Sequence, residues 1–301
     1  MDSRPTLLAL YAHPDDEILG AGGTLAAAAA SGIHVVIVVA TRGEAGEIQR
    51  PGTATPETLS QVREAEMRCS ARELGVSELI FLDYRDSGMA GAPDNDHPRA
   101  FINAGDAEVR RRLVAIIRRV RPHVVITFEP FGGYGHPDHR AINRHTLSSL
   151  AAAADRGFLP DMGAPWETPR LFYHLMPPAI LGEIRARVAA MGGDTGDYDV
   201  MLEKRPAEAW PEERIHAVVD VSDHIARKWA AWHCHRTQFG PNSRFRRLPD
   251  SDMKEILSTE YFALAVPEPE EGTRLSHLFE GLDLFEGLHL SEDLHLSEDL
   301  D

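Results

Sequence analysis

The chain of 301 residues is poor in cysteine, having two in all, Cys69 and Cys234. They lie far apart and belong to no metal-binding motif, so a disulfide framework of the kind found in small secreted domains is excluded. We expect two free thiols in a reducing compartment. Each is interpreted as a small buried residue rather than as a metal ligand.

Long apolar runs are also lacking. The first one, Thr6–Ala12, has seven residues and follows a short polar start. A signal peptide needs a different flank, and a membrane-spanning helix needs about 20 apolar residues. The sequence therefore predicts a cytoplasmic protein with no membrane partner.

Basic residues are too few for a nucleic-acid partner. The sequence has 31 lysines and arginines against 47 acidic residues, a formal net charge of −16. Neutralising phosphates requires a basic surface, so nucleic-acid binding is excluded. The segment 268–301 carries eleven of the acidic residues and a single basic one, Arg274, so the rest of the chain is only moderately acidic.

Strand-like apolar runs alternate with helical patterns in the first half of the chain. His34–Val39 is largely β-branched, as expected of a strand buried on both faces. Such alternation predicts βαβ units and an α/β, Rossmann-like, mostly parallel sheet with helices on both faces. The predicted strands are Thr6–Tyr11, His34–Val39, Leu79–Leu82 and His123–Phe128, and the predicted helices are Gly22–Ala30, Pro56–Leu74 and Ala107–Val120.

The second half predicts a smaller mixed α/β lobe. We expect a catalytic metal-binding domain over residues 1–165, and a lobe over 166–267 that completes the substrate pocket. The predicted strands of the lobe are Leu171–Leu175, Ala217–Val221 and Tyr261–Val266, and its predicted helices are Ala179–Met191 and Asp223–His235.

An acidic tail, residues 268–301, ends the chain. From Leu278 it repeats a six-residue unit four times: LFEGLD, LFEGLH, LSEDLH and LSEDLD. Because six residues turn a helix by 600°, the leucines do not form one stable apolar stripe. The pattern favours a disordered segment, and a docking segment that folds on contact is the alternative.

Metal-type ligands follow the first predicted strand, in the segment Ala12–Glu17 (AHPDDE). His13 and Asp16 are three residues apart and can face one point on a helical turn. Imidazole nitrogen and carboxylate oxygen are zinc ligands, bound at about 2.0–2.2 Å. Asp15 points elsewhere, where it can face a metal-bound water without being a ligand.

A similar segment follows the fourth predicted strand: a glycine loop, then His136, Pro137, Asp138 and His139. Ligands in such sheets sit beyond the carboxyl ends of the strands, so the two clusters can converge on one metal with an open, catalytic position. Either segment alone could be a helix cap or a surface turn. Their joint occurrence favours the metal site.

The segments AHPDDE at 12–17 and GGYGHPDH at 132–139 resemble the LmbE/PIG-L family of zinc-dependent N-deacetylases. Thr41–Glu47 and Arg85–Met89 are similar to two further loops of that family. His235–Gln238 (HRTQ), followed by Pro241 and Asn242, resembles the branch that acts on the mycothiol precursor, a GlcNAc-inositol, and on mycothiol S-conjugates. The resemblance spans residues 6 to about 266.

The resemblance implies one zinc ion per chain, and iron is compatible with the same ligands. It implies that Asp15 is the general base, that His136 stabilises the oxyanion and that Asp138 orients His136. Tyr134 is implied to help polarise the substrate carbonyl. The implied zinc ligands are His13, Asp16 and His139, and the implied substrate contacts are Glu47, Arg63, Asp86 and Gln238.

The leading hypothesis is hydrolysis of an N-acyl group, acetyl above all, from a glucosamine-containing small molecule. A thiol S-conjugate amidase is the alternative within the same chemistry. A non-catalytic, zinc-dependent sugar-binding protein is the alternative of another class. A dehydrogenase is disfavoured because no GxGxxG follows the first strand. The sequence is also compatible with a homo-oligomer.

Overall fold

The computed structural model describes residues 4–203, 211–240 and 243–282. One seven-stranded sheet runs through this part of the chain, in the order β3-β2-β1-β4-β5-β7-β6. Strands β1 to β5 are parallel, and β7 is antiparallel to both of its neighbours. The strands are β1 Thr6–Tyr11, β2 His34–Thr41, β3 Glu78–Tyr84, β4 Val124–Phe128, β5 Arg170–Leu175, β6 Ala217–Asp220 and β7 Thr259–Val266.

The chain reverses its direction of travel across the sheet beside β1. It passes from β1 to β2 and β3, and then returns to place β4 on the other side of β1. Because parallel crossovers are right-handed, helices before and after the reversal cover opposite faces. The helices are α1 Asp16–Ala30, α2 Leu59–Leu74, α3 Asp106–Val120, α4 Pro137–Ala154, α5 Pro178–Ala190, α6 Gly196–Glu203, α7 Ile225–Cys234 and α8 Asp250–Ile256. The predicted Rossmann-like α/β class is confirmed.

The central strands form the core. Every residue of β1 is buried, and residues 35–41 of β2 are buried as well. Burial on both faces explains why these strands read as continuous apolar runs rather than as alternating patterns. Helices α1, α2 and α7 pack together, and α3 packs on α4.

The second half of the chain extends the same sheet. Strand β5 pairs with β4, and β7 and β6 follow beyond it. The division of the chain at residue 165 stays a prediction, with strands of one sheet on either side of it.

Two helices begin at places that differ from the predictions. Helix α1 begins at Asp16 rather than Gly22, because the acidic residues Asp16 and Glu17 suit a helix N-terminus. Helix α2 begins at Leu59, after a turn in which Thr58 Oγ1 accepts a hydrogen bond from Thr55 N. Helices α6 and α8 are not among the predicted elements.

The two cysteines are joined, and the prediction of free thiols is wrong. Cys69 and Cys234 form a disulfide with a Cα–Cα distance of 5.7 Å. They meet because α2 packs along α7. This contact joins residues far apart in the chain, so local sequence patterns do not predict it. Within the described ranges, no helix is long and apolar enough to cross a membrane.

The acidic tail starts as ordered structure, which corrects the prediction of a disordered segment from residue 268. Leu275 forms a bridge with Ala217, and Leu278 and Phe279 are buried. Arg170 Nη1 donates to the backbone oxygen of Leu278 at 3.0 Å. Most of the hexad repeat, residues 283–301, lies outside the described residues.

Candidate active site

The site lies where β1 and β4 end side by side, at the reversal point of the sheet, which is where ligands bind in open α/β sheets. The segment after β1 turns sharply into α1. Asp15 caps this helix with a φ of 110° and a ψ of −19°. A positive φ is uncommon for a residue other than glycine and costs of order 1–3 kcal/mol. Such a conformation persists only where the surroundings hold it.

Three side chains bring donor atoms to one point, as the sequence predicted. His13 Nδ1 lies 3.2 Å from His139 Nε2. Asp16 offers Oδ1 at 3.2 Å from His139 Nε2, and Oδ2 at 3.6 Å from His13 Nδ1. Ligands of a tetrahedral zinc at 2.0–2.1 Å stand about 3.3 Å apart, so these separations suit one ion.

The opposite ring nitrogens of both histidines face acceptors. His13 Nε2 lies 3.2 Å from Asp138 Oδ2 and 3.3 Å from Asp86 Oδ1. His139 Nδ1 lies 3.2 Å from the backbone oxygen of Gly132. Metal-binding histidines typically carry a proton on the outer nitrogen and donate it to such an acceptor. The donor set and its supporting contacts therefore fit a zinc ion.

The glycine loop after β4 holds His139 in place. Glu129 Oε1 and Oε2 accept hydrogen bonds from the backbone N–H groups of Gly133 and Phe131, at 2.7 and 2.5 Å. Gly132 has a φ of 80°, and a Cβ there would lie 2.8 Å from His139 Cβ, so only glycine lets the loop approach. Phe128 stacks on the imidazole of His139 at 3.8 Å between ring centroids.

The charges around the proposed ligands shift the pKa values of His13 and Asp16 in opposite directions. Burial lowers the pKa of His13, but the charge of Asp86 and the hydrogen bonds with Asp138 and Asp16 outweigh it and raise that pKa. Burial raises the pKa of Asp16, yet the neighbouring His139 and His13 bring it well below its usual range. Asp16 is therefore anionic at neutral pH, as a carboxylate ligand must be to bind a metal.

Asp15 lies beside the triad in a different electrostatic setting. Burial raises its pKa from 3.8 to about 6, against the lowering effect of Arg63. Arg63 Nη2 lies 3.3 Å from Asp15 Oδ1 and donates to the backbone oxygen of Pro14 at 2.6 Å. A carboxylate poised near neutral pH is suited to accept a proton. The base role of Asp15 stays a proposal that this environment supports.

His136 joins the same cluster. One of its ring nitrogens lies within 4.8 Å of nitrogens of His13 and His139. Its Nδ1 accepts a hydrogen bond from the backbone N–H of Asp138 at 3.2 Å. Burial, followed by the charges of His13 and His139, lowers its pKa to about 3, so the ring is neutral at pH 7. A neutral ring whose Nδ1 accepts this bond carries its proton on Nε2, where it can donate.

The carboxylate of Asp138 serves a partner other than the predicted one. It faces His13, whereas we expected it to orient His136. Ser87 fixes it, donating from its backbone N to Oδ2 at 2.9 Å and from Oγ to Oδ1 at 2.5 Å. The contact arises because the loop after β3 reaches under the motif, which sequence spacing does not show.

The four predicted substrate contacts fall into two groups. Arg63 and Asp86 are buried and bonded to protein: Arg63 to Pro14 and Gly43 oxygens, Asp86 to backbone N–H groups and His13. In this conformation both side chains hold the segment that contains His13 and Pro14. Glu47 is exposed and Gln238 partly so, and Gln238 Nε2 donates to the Glu47 backbone oxygen at 3.0 Å.

Glu47 and Gln238 therefore lie together beside the site. Tyr134, half exposed, lies near it with its ring centroid 5.1 Å from that of His139. Pro241 and Asn242, quoted for the same resemblance, lie outside the described residues.

Sequence reasoning missed a buried group behind Asp15. Glu17 Oε1 accepts from Ser70 Oγ at 2.6 Å and lies 2.6 Å from His235 Nε2. Burial raises the pKa of Glu17, but the charge of His235 and the hydrogen bonds from His235 and Ser70 together outweigh burial and lower that pKa. Burial lowers the pKa of His235, but Glu17 and the other nearby carboxylates raise it overall. The signals were present, since Glu17 ends AHPDDE and His235 opens HRTQ.

Comparison with known proteins shows the family to which the chain belongs. A family model described as PIG-L, GlcNAc-PI de-N-acetylase, matches residues 8–150. The 1D-myo-inositol 2-acetamido-2-deoxy-α-D-glucopyranoside deacetylase of Geodermatophilus obscurus is 38% identical over 276 residues, covering 89% of this chain and 93% of that protein.

Two solved structures share the fold. A conserved protein of Thermus thermophilus aligns with a TM-score of 0.57 and 26% identity, covering 88% of this chain and 96% of that one. The N,N'-diacetylchitobiose deacetylase of Pyrococcus horikoshii aligns with a TM-score of 0.58 and 21% identity, covering 86% and 83%. Because the chain is 38% identical to the Geodermatophilus obscurus deacetylase over 89% of its length, and residues 8–150 match the family model, it belongs to the PIG-L family of de-N-acetylases.

Proposed function

We propose that this protein hydrolyses the N-acetyl group of a glucosamine-containing small molecule, releasing acetate and the free amine, with one bound zinc ion. The observation that carries the proposal is the meeting of His13 Nδ1, His139 Nε2 and Asp16 at separations of 3.2–3.6 Å, with Asp15 beside them. Three protein ligands leave a position open for water or substrate.

His13, Asp16 and His139 would hold the zinc, which supplies a bound water of lowered pKa and polarises the amide carbonyl. Asp15 accepts the proton of the attacking water, and its partial exposure of 20% leaves a face open to it. The proton then passes to the departing amine nitrogen. The atoms balance as amide plus water giving carboxylic acid plus amine.

His136 is the group suited to the developing oxyanion. With Nδ1 occupied by the Asp138 N–H, the neutral ring presents an N–H on Nε2. Removing one such donor typically slows an acyl-transfer step by about 10²–10³. Asp138 is accordingly proposed to orient His13 rather than His136.

The name of one relative suggests which group is joined to the sugar of the substrate. The protein of Geodermatophilus obscurus is named for a 2-acetamido sugar joined to 1D-myo-inositol. We extend that substrate to this chain, in which Glu47, Tyr134 and the partly exposed Gln238 are the groups available to contact the sugar or the inositol. Iron in place of zinc, location in the cytoplasm and a homo-oligomer stay predictions.

The test is acetate and amine release from a panel of N-acetylglucosaminides, including the inositol-linked one, by protein loaded with one equivalent of zinc. We expect release that requires both zinc and Asp15, with the inositol compound turned over fastest. A panel member carrying a bulky N-acyl group separates the deacetylase from a conjugate amidase.

Binding of the sugars without release, equal in the wild type and in Asp15→Asn, would identify a non-catalytic binder and overturn the proposal. Faster release of the bulky acyl group than of acetate would instead identify the amidase. Replacing zinc by ferrous iron in the same assay compares the two metals directly.

A further inference from the structure

The conformation of Asp15 requires support that the metal ligands do not supply. Its φ of 110° is unusual for a residue other than glycine. Its backbone N–H donates to Oε2 of Glu17 at 3.0 Å. Glu17 is fully buried, so water does not compete for this hydrogen bond. The Glu17 carboxylate is therefore the anchor of the Asp15 backbone.

Two donors fix the anchor in turn. Ser70 Oγ, on α2, and His235 Nε2, just after α7, both lie 2.6 Å from Oε1 of Glu17. Ser70 and His235 are fully buried as well. Both neighbours converge on one oxygen, which leaves the other oxygen for Asp15.

The disulfide joins the residues directly before these donors. Cys69 precedes Ser70 and Cys234 precedes His235, so the Cys69–Cys234 bond holds α2 and the end of α7 together at this level. The segment after α7 is also bonded to α2 by a second contact, because Thr237 N and Oγ1 donate to the Glu66 carboxylate at 2.8 and 2.6 Å. We call Ser70, His235 and the disulfide the clamp.

We propose that Glu17 is a positioning residue for Asp15 and that the clamp fixes the Glu17 carboxylate where it accepts the hydrogen bond from the Asp15 backbone N–H. The proposal rests on the proposed function, in which Asp15 accepts a proton. Misplacement of a reacting group by about 1 Å can slow a reaction about a hundredfold. The clamp would thus connect the C-terminal half of the chain to the base without touching substrate.

The first experiment compares two substitutions of similar size. Gln at position 17 keeps an acceptor for the Asp15 N–H, and its amide can donate towards Ser70 Oγ and His235 Nε2; Met keeps neither. We expect Glu17→Gln to retain kcat within about fivefold and Glu17→Met to lose about 30-fold or more, with KM unchanged within about threefold, since substrate contacts remain. Equal loss in both variants would overturn a positioning role.

A second control separates the positioning of Asp15 by Glu17 from a general contribution of Glu17 to the stability of the fold. Val188→Ala, in the buried face of α5 and outside the site, serves as a destabilised control. It should lower Tm while kcat per bound zinc stays unchanged. If Glu17→Met does not fold, Ser70→Ala takes its place, with kcat about fivefold lower and KM unchanged.

A double-mutant cycle tests the order of action. His235→Leu should lower kcat about tenfold in the wild type and less than about twofold in the Glu17→Met background, since His235 acts through Glu17. The pair Cys69→Ser and Cys234→Ser should show the same dependence with a smaller loss. Additive losses would refute the clamp.

Hydrogen exchange gives a reading that does not depend on activity. The peptide spanning residues 12–18 should exchange faster in Glu17→Met than in Glu17→Gln or Val188→Ala, because the Asp15 N–H loses its buried acceptor. If the wild type releases no acetate, the proposed function fails while this comparison still tests the clamp. An active wild type with exchange and kcat unchanged in Glu17→Met refutes the positioning role alone.

Discussion

Oδ2 of Asp138 lies 3.2 Å from Nε2 of His13, on the side of the imidazole ring opposite to the nitrogen that faces His139. Asp86 approaches the same Nε2 at 3.3 Å, and Ser87 donates to both oxygens of Asp138. The arrangement places the His13 proton on Nε2 and leaves Nδ1 as a free donor atom for a metal. Asp138 therefore orients His13 for the proposed metal site.

This contact predicts that Asp138→Asn weakens zinc binding. Loss of such a supporting carboxylate typically costs about 10–100-fold in metal affinity, and we expect a loss in that range. Competition with a chelating dye measures it. The matched control is Asp161→Asn, on an exposed turn remote from the site, which should bind zinc as the wild type does. Unchanged affinity in Asp138→Asn would assign its carboxylate to another role.

Gly43 is predicted to be irreplaceable because of Arg63. A Cβ at Gly43, where φ is +67°, would lie 2.0 Å from Nη1 of Arg63; at Gly52, where φ is +80°, nothing lies within 4 Å. Alanine at either position bears a similar conformational cost of about 1 kcal/mol. Only Gly43→Ala should also displace Arg63 from the Pro14 oxygen and Asp15, lowering kcat about tenfold or more.

Because Gly43→Ala and Gly52→Ala bear a similar backbone cost, the difference in kcat between them reports the displacement of Arg63. Tm and kcat of both variants are measured beside the wild type. A fall in kcat of equal size in both would show that Arg63 contributes nothing specific to the position of Asp15.

Much of the fold could be read from local pattern because the parallel strands are buried on both faces. Thr6–Tyr11 was predicted to the residue, and β2 differs from its prediction by two residues at one end. The range predicted for α1 begins six residues late, because the alanine-rich stretch from Gly22 gave the helix signal, whereas the helix opens with the polar residues Asp16 and Glu17. In this chain the hydrophobic pattern identifies the strands well. It predicts the ends of helices less well, because these depend on the chemistry of the adjoining turns.

The meeting of His13, Asp16 and His139 could be predicted because two motifs follow adjacent parallel strands, whose carboxyl ends lie side by side. The partner of Asp138 and the disulfide could not, because they depend on how the loop after β3 and helix α7 pack against residues distant in sequence. Glu17 stood inside the recognised motif, yet its partners Ser70 and His235 lie 53 and 218 residues away.

Asp15 should make the stability of chelator-treated protein depend on pH. Its pKa is raised from 3.8 in the unfolded reference to about 6 in the fold, so the folded state holds this proton more tightly. The contribution of the group to stability is therefore present at low pH and is lost as pH rises from about 4 through 6. Asparagine cannot ionise and tolerates positive φ.

We expect metal-free Asp15→Asn to melt higher than metal-free wild type at pH 7.5, by about 2–5 °C, and this gain to shrink as pH falls to 4. Differential scanning calorimetry at several pH values measures the difference between the two proteins, which cancels other titrating groups. A gain independent of pH would reflect the backbone preference of asparagine alone, and not the ionisation of Asp15.

The acidic tail offers a last comparison between two shortened chains, one ending at residue 282 and one at residue 267. Leu278 and Phe279 are 1% and 5% exposed, and the backbone oxygen of Leu278 accepts from Arg170. Burying side chains of this kind stabilises by about 1.5–3 kcal/mol each. The longer chain should keep the wild-type Tm, and the shorter one should melt roughly 10 °C lower, since 1 kcal/mol shifts Tm by about 2–4 °C.

Turnover at 25 °C should stay within about twofold of the wild type in both chains, because the segment packs at the β5–β7 side of the sheet, away from the ends of β1 and β4. Phe279→Ala in the full-length protein is the matched control, and it should reproduce a part of the loss in Tm. A chain ending at 267 that melts with the wild type would show that residues 268–282 contribute nothing to the core. A large loss of turnover in the chain ending at 282 would instead place a functional contact within residues 283–301.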